Sequence, residues 1–83
     1  MKVVIDESVY LFLKENKIKL SKQMKTVISH LKFNPWMYAM IADDDNARHF
    51  IIKGIDFGYM ICGEVDIISD CRFVKSNTKS KVR

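Results

Sequence analysis

The chain has 83 residues, of which 48% are hydrophobic, and it carries a formal net charge of +4. This length predicts one domain, and the composition excludes disordered and collagen-like proteins. The longest uninterrupted apolar run, residues 36–42, is far shorter than the roughly 18 residues that a membrane-spanning helix requires. We therefore expect a cytoplasmic protein with a single domain at residues 1–75 and a flexible basic tail at residues 76–83.

The charges are distributed unevenly along the chain. Residues 1–42 carry seven lysines and three acids, residues 43–74 carry three basic and seven acidic groups, and residues 75–83 carry four basic groups and no acid. This segregation favours a basic face or arm that meets phosphate or an acidic partner. A solvated lysine-rich helix surface explains the pattern equally well.

The N-terminus predicts a strand followed by a short helix. Residues 1–5 form a β-branched run that favours a strand. Ser8 is the candidate N-cap of a helix that ends near Asn16.

A second helix is predicted from Ser21, its candidate N-cap, to the pair Asn34-Pro35. Apolar residues recur at helical spacing over residues 24–31, and the residue before a proline avoids helical geometry. The opposite face of this helix is rich in lysine. We count Lys22 and Lys25 on that face among the candidate nucleic-acid contacts.

The segment after this helix contains an apolar stretch and an acidic turn. Residues 36–42 fit either a strand or a packed loop, and residues 43–46 predict a turn. The three adjacent aspartates of this turn lack the alternating carboxylate spacing of a calcium loop. We therefore predict no metal site.

From Ala47 onward the pattern predicts strands at residues 47–53, 57–62, 65–69 and 71–74, with glycine turns between the first three. Gly54 and Gly63 supply the positive backbone torsions that tight turns require. Alternation along the second of these strands predicts one bulky sheet face, which covers the helices, and one more open face. The fold class is therefore α+β, with two N-terminal helices packed on a four- to five-stranded antiparallel sheet.

Three segments in this order resemble the RelE/ParE superfamily of toxins from bacterial toxin–antitoxin modules. They are residues 28–35 (ISHLKFNP), 48–61 (RHFIIKGIDFGYMI) and 66–74 (DIISDCRFV), and the resemblance covers about residues 1–75. It implies a toxin that is neutralised by a cognate antitoxin wrapped over its sheet. One branch of the superfamily cleaves messenger RNA on the ribosome, and another inhibits DNA gyrase.

The resemblance also implies a set of site residues. Arg48 matches the first motif arginine, and Arg72 lies near the later basic position, with Lys53 and Lys75 as neighbours. In the ribonuclease branch, such groups on the open sheet face stabilise the charge that develops on the phosphate, a task that suits the planar guanidinium fork. Gly58 occupies the position of the second motif arginine.

Cleavage of RNA by its own 2′-hydroxyl requires a base, an acid and cations directed at phosphorus. The candidate bases are His49, Glu64 and Asp66. A single histidine on a strand is commonly structural, so both roles stay open for His49.

We predict Arg48, Arg72 and His49 as catalytic residues, and Lys22, Lys25, Lys53 and Lys75 as nucleic-acid contacts. We expect the basic groups to converge on a single concave patch. No cofactor is predicted, because the cysteines and histidines lack paired zinc spacings and no glycine-rich phosphate loop is present.

The predicted partners are a cognate antitoxin and either the ribosome with its messenger RNA or DNA gyrase. The rival hypothesis is a catalytically silent protein that binds a protein partner through its lysine-rich helix or tail. A small phage or secreted-effector ribonuclease on a related scaffold is the second rival.

Overall fold

The computed structural model describes residues 1–74, so Lys75 and the tail predicted at residues 76–83 lie outside the described residues. The elements in chain order are β1 (Lys2–Ile5), α1 (Glu7–Glu15), α2 (Ser21–Phe33), β2 (Ala39–Ile41), β3 (Asp44–Ile52), β4 (Ile55–Cys62) and β5 (Val65–Phe73). The five strands form one sheet in the order β1-β5-β4-β3-β2. The α+β class, the two N-terminal helices and the five-stranded sheet are confirmed.

The prediction of a fully antiparallel sheet is wrong, because the sheet is mixed. β1 pairs in parallel with β5, with Lys2 opposite Val65 and Ile5 opposite Ile68. The other neighbouring strands are antiparallel. The chain between β1 and β5 contains both helices and the other three strands, so it is long enough for the two strands to run in the same direction, which a tight turn does not permit.

The helix N-termini differ from the predicted ones. Asp6 caps α1, since its carboxylate accepts hydrogen bonds from the backbone N–H of Ser8 at 3.0 Å and from the Ser8 hydroxyl at 2.6 Å. These two hydrogen bonds lower the pKa of Asp6. Ser21 is the first residue of α2, whose N-cap position is Leu20 and has no side-chain cap. The predicted helix end at Asn34 is confirmed, because α2 stops at Phe33.

Two of the tight turns are displaced from their predicted places. Lys53, predicted in a strand, lies with Gly54 in a two-residue turn between β3 and β4, where their φ angles are 50° and 78°. The turn predicted at residues 43–46 lies earlier, since β3 already begins at Asp44 and Ala42 has a φ of 53°.

Within residues 1–74, none of the helices has the length and apolarity to span a lipid bilayer.

The core lies between the helices and one face of the sheet. Buried apolar residues of the helical half pack against buried residues of the sheet. The helical half contributes Val9, Leu20, Met24, Val27 and Leu31, and the sheet contributes Phe50, Ile55, Phe57, Tyr59, Ile61 and Ile68. Phe50 and Phe57 are cross-strand partners whose rings stack at a centroid distance of 5.2 Å. This packing leaves the opposite face of the sheet, hereafter the open face, without a covering element among the described residues.

Candidate active site on the open sheet face

Strand alternation determines which side chains of β4 reach the open face. Ile55, Phe57, Tyr59 and Ile61 are buried toward the helices. Asp56, Gly58, Met60 and Cys62 lie on the other side of the strand, where Met60 and Cys62 are exposed. The open face is thus the place where polar side chains of the sheet can meet a ligand.

A groove of about 440 Å³ lies on this face, lined by Met40, Ile41, Ala42, His49, Asp56, Gly58, Asp70 and Arg72. The strand register explains why its polar members meet. His49 pairs with Gly58, which pairs in turn with Asp70, and Asp56 pairs with Arg72. Four titratable or charged side chains from β3, β4 and β5 therefore share one concave surface.

His49 and Asp56 form the best-defined contact in the groove. Nδ1 of His49 lies 2.9 Å from Oδ1 of Asp56, and both side chains are partly shielded from solvent. An Nδ1–H that donates to this carboxylate holds the ring in one orientation. Among the described residues, Nε2 has no hydrogen-bond partner, so it is free to exchange a proton with a ligand.

Arg72 supplies the cation of the groove. Its Nη2 lies 3.8 Å from Oδ2 of Asp56, while its side chain is 82% exposed. A long, exposed ion pair of this kind is weak. Most of the guanidinium donors are therefore available to a phosphate.

Gly58 forms the floor between His49 and Asp70. A Cβ placed on Gly58 would lie 2.5 Å from Oδ1 of Asp70, so the carboxylate of Asp70 leans over β4. Neighbouring strands are about 4.8 Å apart, so the backbones of His49 and Asp70, two strands apart, are separated by about 10 Å. The residue between them on β4 is Gly58, which has no side chain. Ile41 closes the floor, with its Cδ1 3.9 Å from the same Cβ position.

Arg48 is not part of this groove, and the expectation that it lies on the open face is wrong. Its side chain is buried on the helix-covered side of β3, because His49 next to it faces the opposite way. Its guanidinium donates to the carbonyl oxygens of Trp36 and Tyr38, both at 2.8 Å, and of Asp45 at 2.9 Å. Together with a 2.6 Å contact to Oδ1 of Asp45, these bonds fasten the loop before β2 to the start of β3.

The three predicted lysines within residues 1–74 do not join the two arginines in a single concave patch. Lys22 and Lys25 are exposed on α2, on the helix side of the molecule, and Lys25 lines an apolar groove between the two helices. Lys53 is exposed in the β3–β4 turn, which lies beside the end of β5 because Val74 N–H donates to the Gly54 carbonyl oxygen at 2.8 Å. Lys53 lies at the same end of the sheet as Arg72, whereas Lys22 and Lys25 do not.

The other candidate bases from the sequence lie away from the groove. Glu64 is exposed in the turn between β4 and β5, at the far end of the sheet from Arg72. Asp66 is fully buried on the helix-covered side, and neither of its carboxylate oxygens has a hydrogen-bond partner among the described residues. Burial raises the pKa of Asp66, while the N-terminal ammonium opposes this rise.

Tyr59 is likewise a core residue. Its hydroxyl donates to the carbonyl oxygen of Pro35 at 2.6 Å. Burial raises the pKa of Tyr59 to about 12, although the charge of Arg48 acts in the opposite direction. This hydroxyl is therefore committed to the loop after α2 and is no proton donor for the open face.

Asp56 and Asp70 are the charged groove residues that the sequence did not single out. Asp56 follows a turn, and Asp70 shares its spacing with the buried Asp66, so neither stands out without the strand register.

No group of three or more metal-binding side chains occurs within residues 1–74. Comparison with protein-family models, with curated proteins and with solved structures found no match.

Proposed function

We propose that this protein is a toxin-like, metal-independent endoribonuclease of the RelE/ParE type, acting in the cytoplasm on messenger RNA at the ribosome. The observation that carries the proposal is the contact of His49 with Asp56 beside Arg72 in a groove of the open face. These are the groups that cleavage of RNA by its own 2′-hydroxyl requires. The family assignment rests on the order of the sequence segments described above.

Three groove residues have distinct tasks in this proposal. Arg72 binds the scissile phosphate and balances the charge that builds up on its oxygens, because the guanidinium fork meets two of them. Nε2 of His49 exchanges a proton with the reacting oxygens. Asp56 is a positioning residue, since its carboxylate holds the imidazole ring.

The buried Arg48 has a supporting role in this proposal. It positions the start of β3, the strand that carries His49. Lys53 extends the cationic surface at the Arg72 end of the groove, where it can contact the RNA backbone. A cognate antitoxin that covers the open face would block access of RNA to both His49 and Arg72.

A second candidate function is inhibition of a protein target such as DNA gyrase, without catalysis. Four large apolar side chains at or before the edge strand β2 favour it, with exposed fractions of 46% for Trp36, 47% for Met37 and Met40, and 43% for Ile41. Clusters of exposed apolar side chains commonly mark protein-binding surfaces. Such a protein needs neither His49 nor Arg72.

Controlled expression in bacteria tests the proposal. The wild-type chain should arrest growth and produce new message ends on translating ribosomes, and Arg72→Ala or His49→Ala should abolish both effects. Lys32→Ala is the matched control, because it removes one exposed positive charge from α2, away from the open face. Growth arrest that persists in both groove variants without new message ends would favour the inhibitor of a protein target instead.

A further inference from the structure

A β-bulge determines which side chains of β5 reach the open face. Asp66, Ile68, Asp70 and Arg72 are spaced by two residues and would share one face of a regular strand. The structure instead pairs Ile68 with the buried Tyr59 and Asp70 with Gly58, which leaves Ser69 as an extra residue. Strands with such an extra residue redirect the side chains that follow it.

The bulge is held by hydrogen bonds on both sides. The Ser69 hydroxyl donates to the Gly58 carbonyl oxygen at 3.4 Å, and the Ser69 carbonyl oxygen lies 3.2 Å from the Ser8 hydroxyl, whose proton it shares with the carboxylate of Asp6. Asp66 and Ile68 consequently stay on the buried side. Asp70 and Arg72 turn to the open face and enter the groove.

Asp70 is the carboxylate of this groove that has no partner within residues 1–74. Asp56 contacts both His49 and Arg72, whereas Asp70 makes no hydrogen bond or ion pair with any other described residue. Its carboxylate leans over Gly58, toward the strand that carries His49. A free carboxylate and an oriented imidazole thus stand on opposite sides of a side-chain-free floor.

We propose that Asp70 is the general base of this groove and that the protonated ring of His49 is the general acid. This assignment rests on the proposed ribonuclease function. Asp70 can accept a proton because nothing in the described structure occupies its oxygens. His49 can donate one from Nε2 in its protonated form, because Asp56 holds Nδ1 and no described residue occupies Nε2. With His49 protonated, the two positive charges of His49 and Arg72 equal in number the two negative charges of Asp56 and Asp70 in the groove.

The step balances without a metal or a co-reactant. The Asp70 carboxylate takes the proton of the 2′-hydroxyl while O2′ forms a bond to phosphorus. The bond between phosphorus and O5′ breaks, and its electron pair stays on O5′, which takes the proton from Nε2 of His49. The products are a 2′,3′-cyclic phosphate and a 5′-hydroxyl, and proton exchange with water restores both side chains.

A substrate with sulfur in place of the leaving O5′ separates the two roles, because a thiolate leaves without a general acid. The purified protein would be given short RNA, free or bound to ribosomes, with oxygen or sulfur at that position. With oxygen, both Asp70→Asn and His49→Gln should slow cleavage by about 10²–10⁴-fold. With sulfur, His49→Gln should recover to within about tenfold of wild type, while Asp70→Asn should stay slow.

Gly58→Ala provides a second test that leaves both reacting groups in the chain. Its methyl group must displace the Asp70 carboxylate, which can move because it is the exposed end of a side chain. We expect slow cleavage of both substrates with an unchanged circular dichroism spectrum. Circular dichroism also verifies the fold of the Asp70 and His49 variants.

The outcomes distinguish this inference from the function on which it rests. Full activity of Asp70→Asn beside an inactive His49→Gln would overturn the role of Asp70 and leave the ribonuclease function intact. Recovery of Asp70→Asn, but not of His49→Gln, on the sulfur substrate would reverse the two roles. Absence of cleavage by the wild-type protein on both free and ribosome-bound RNA would overturn the proposed function itself.

Discussion

Replacing Asp66 with asparagine should stabilise the protein at neutral pH. The side chain of Asp66 is 0% exposed, and both carboxylate oxygens lack a partner among residues 1–74. A buried unsatisfied polar group costs about 1–3 kcal/mol, and more when it is charged. Asparagine has nearly the same shape and leaves the amide unsatisfied, so only the cost of the charge is removed. The attraction between Asp66 and the N-terminal ammonium offsets part of that gain.

We therefore expect Asp66→Asn to raise the free energy of unfolding at pH 7 by about 1–2 kcal/mol. For a domain of this size this corresponds to a rise in Tm of roughly 5–10 °C. The sign follows from linkage, because burial raises the pKa of Asp66 in the folded state above its ordinary value of 3.8. Wild-type stability should then increase as the pH falls through the folded pKa, and the advantage of the variant should vanish by about pH 4.

Thermal and urea denaturation at pH 7 and pH 4 measure this effect. Asp43→Asn is the matched control, since it makes the same chemical change at an exposed position in the β2–β3 turn. The control should change stability by less than about 0.5 kcal/mol. If Asp66→Asn is no more stable than wild type at pH 7, the carboxylate is solvated or paired and the stated cost of its burial is wrong.

Three further substitutions should change stability through different contacts, each measured by urea denaturation. Arg48→Ala should destabilise the fold by about 2–4 kcal/mol, because the carbonyl oxygens of Trp36 and Tyr38 lose their charged donor in a partly buried site. Arg72→Ala should cost less than about 1 kcal/mol, because its ion pair is long and exposed. Equal costs for the two variants would contradict this reasoning. Tyr59→Phe should cost about 1–2 kcal/mol through the hydrogen bond to Pro35, and it should remove an ultraviolet tyrosine titration near pH 12. Gly54→Ala should cost about 1–2 kcal/mol, because φ is 78° at this position and alanine disfavours that backbone conformation. A steric clash does not contribute, because no atom lies within 4 Å of the new methyl group. An unchanged stability would mean that the turn adopts another backbone conformation.

Local patterns predicted most of the elements but not all of the pairing. The helical spacing of residues 24–31 and the break at Asn34-Pro35 placed α2 correctly. The parallel pairing of β1 with β5 joins segments more than sixty residues apart in sequence, and nothing within either segment indicates its partner. Serine and aspartate both cap helices, so the residue types alone do not distinguish the predicted cap Ser8 from the actual cap, Asp6.

The site was predictable only in part. Alternation in β3 is sufficient to separate Arg48 from His49, because adjacent residues of a strand face opposite ways. The resemblance that selected Arg48 carried no information about this direction. The bulge at Ser69 could not be predicted, since it depends on contacts with Gly58 and Ser8 from other elements. Without the bulge, the spacing of β5 would place Asp70 and Arg72 with the buried Asp66.

The central claim is that the open-face groove cleaves RNA through groups of this chain. The most direct measurement is the number of 2′,3′-cyclic phosphate ends on messages from cells that express the protein. Wild type and Lys32→Ala should generate such ends in equal number, and the double variant His49→Gln, Arg72→Ala should generate none above background. Cyclic phosphate ends that are equally abundant with the double variant, or growth arrest by the wild-type protein without any such ends, would contradict the claim.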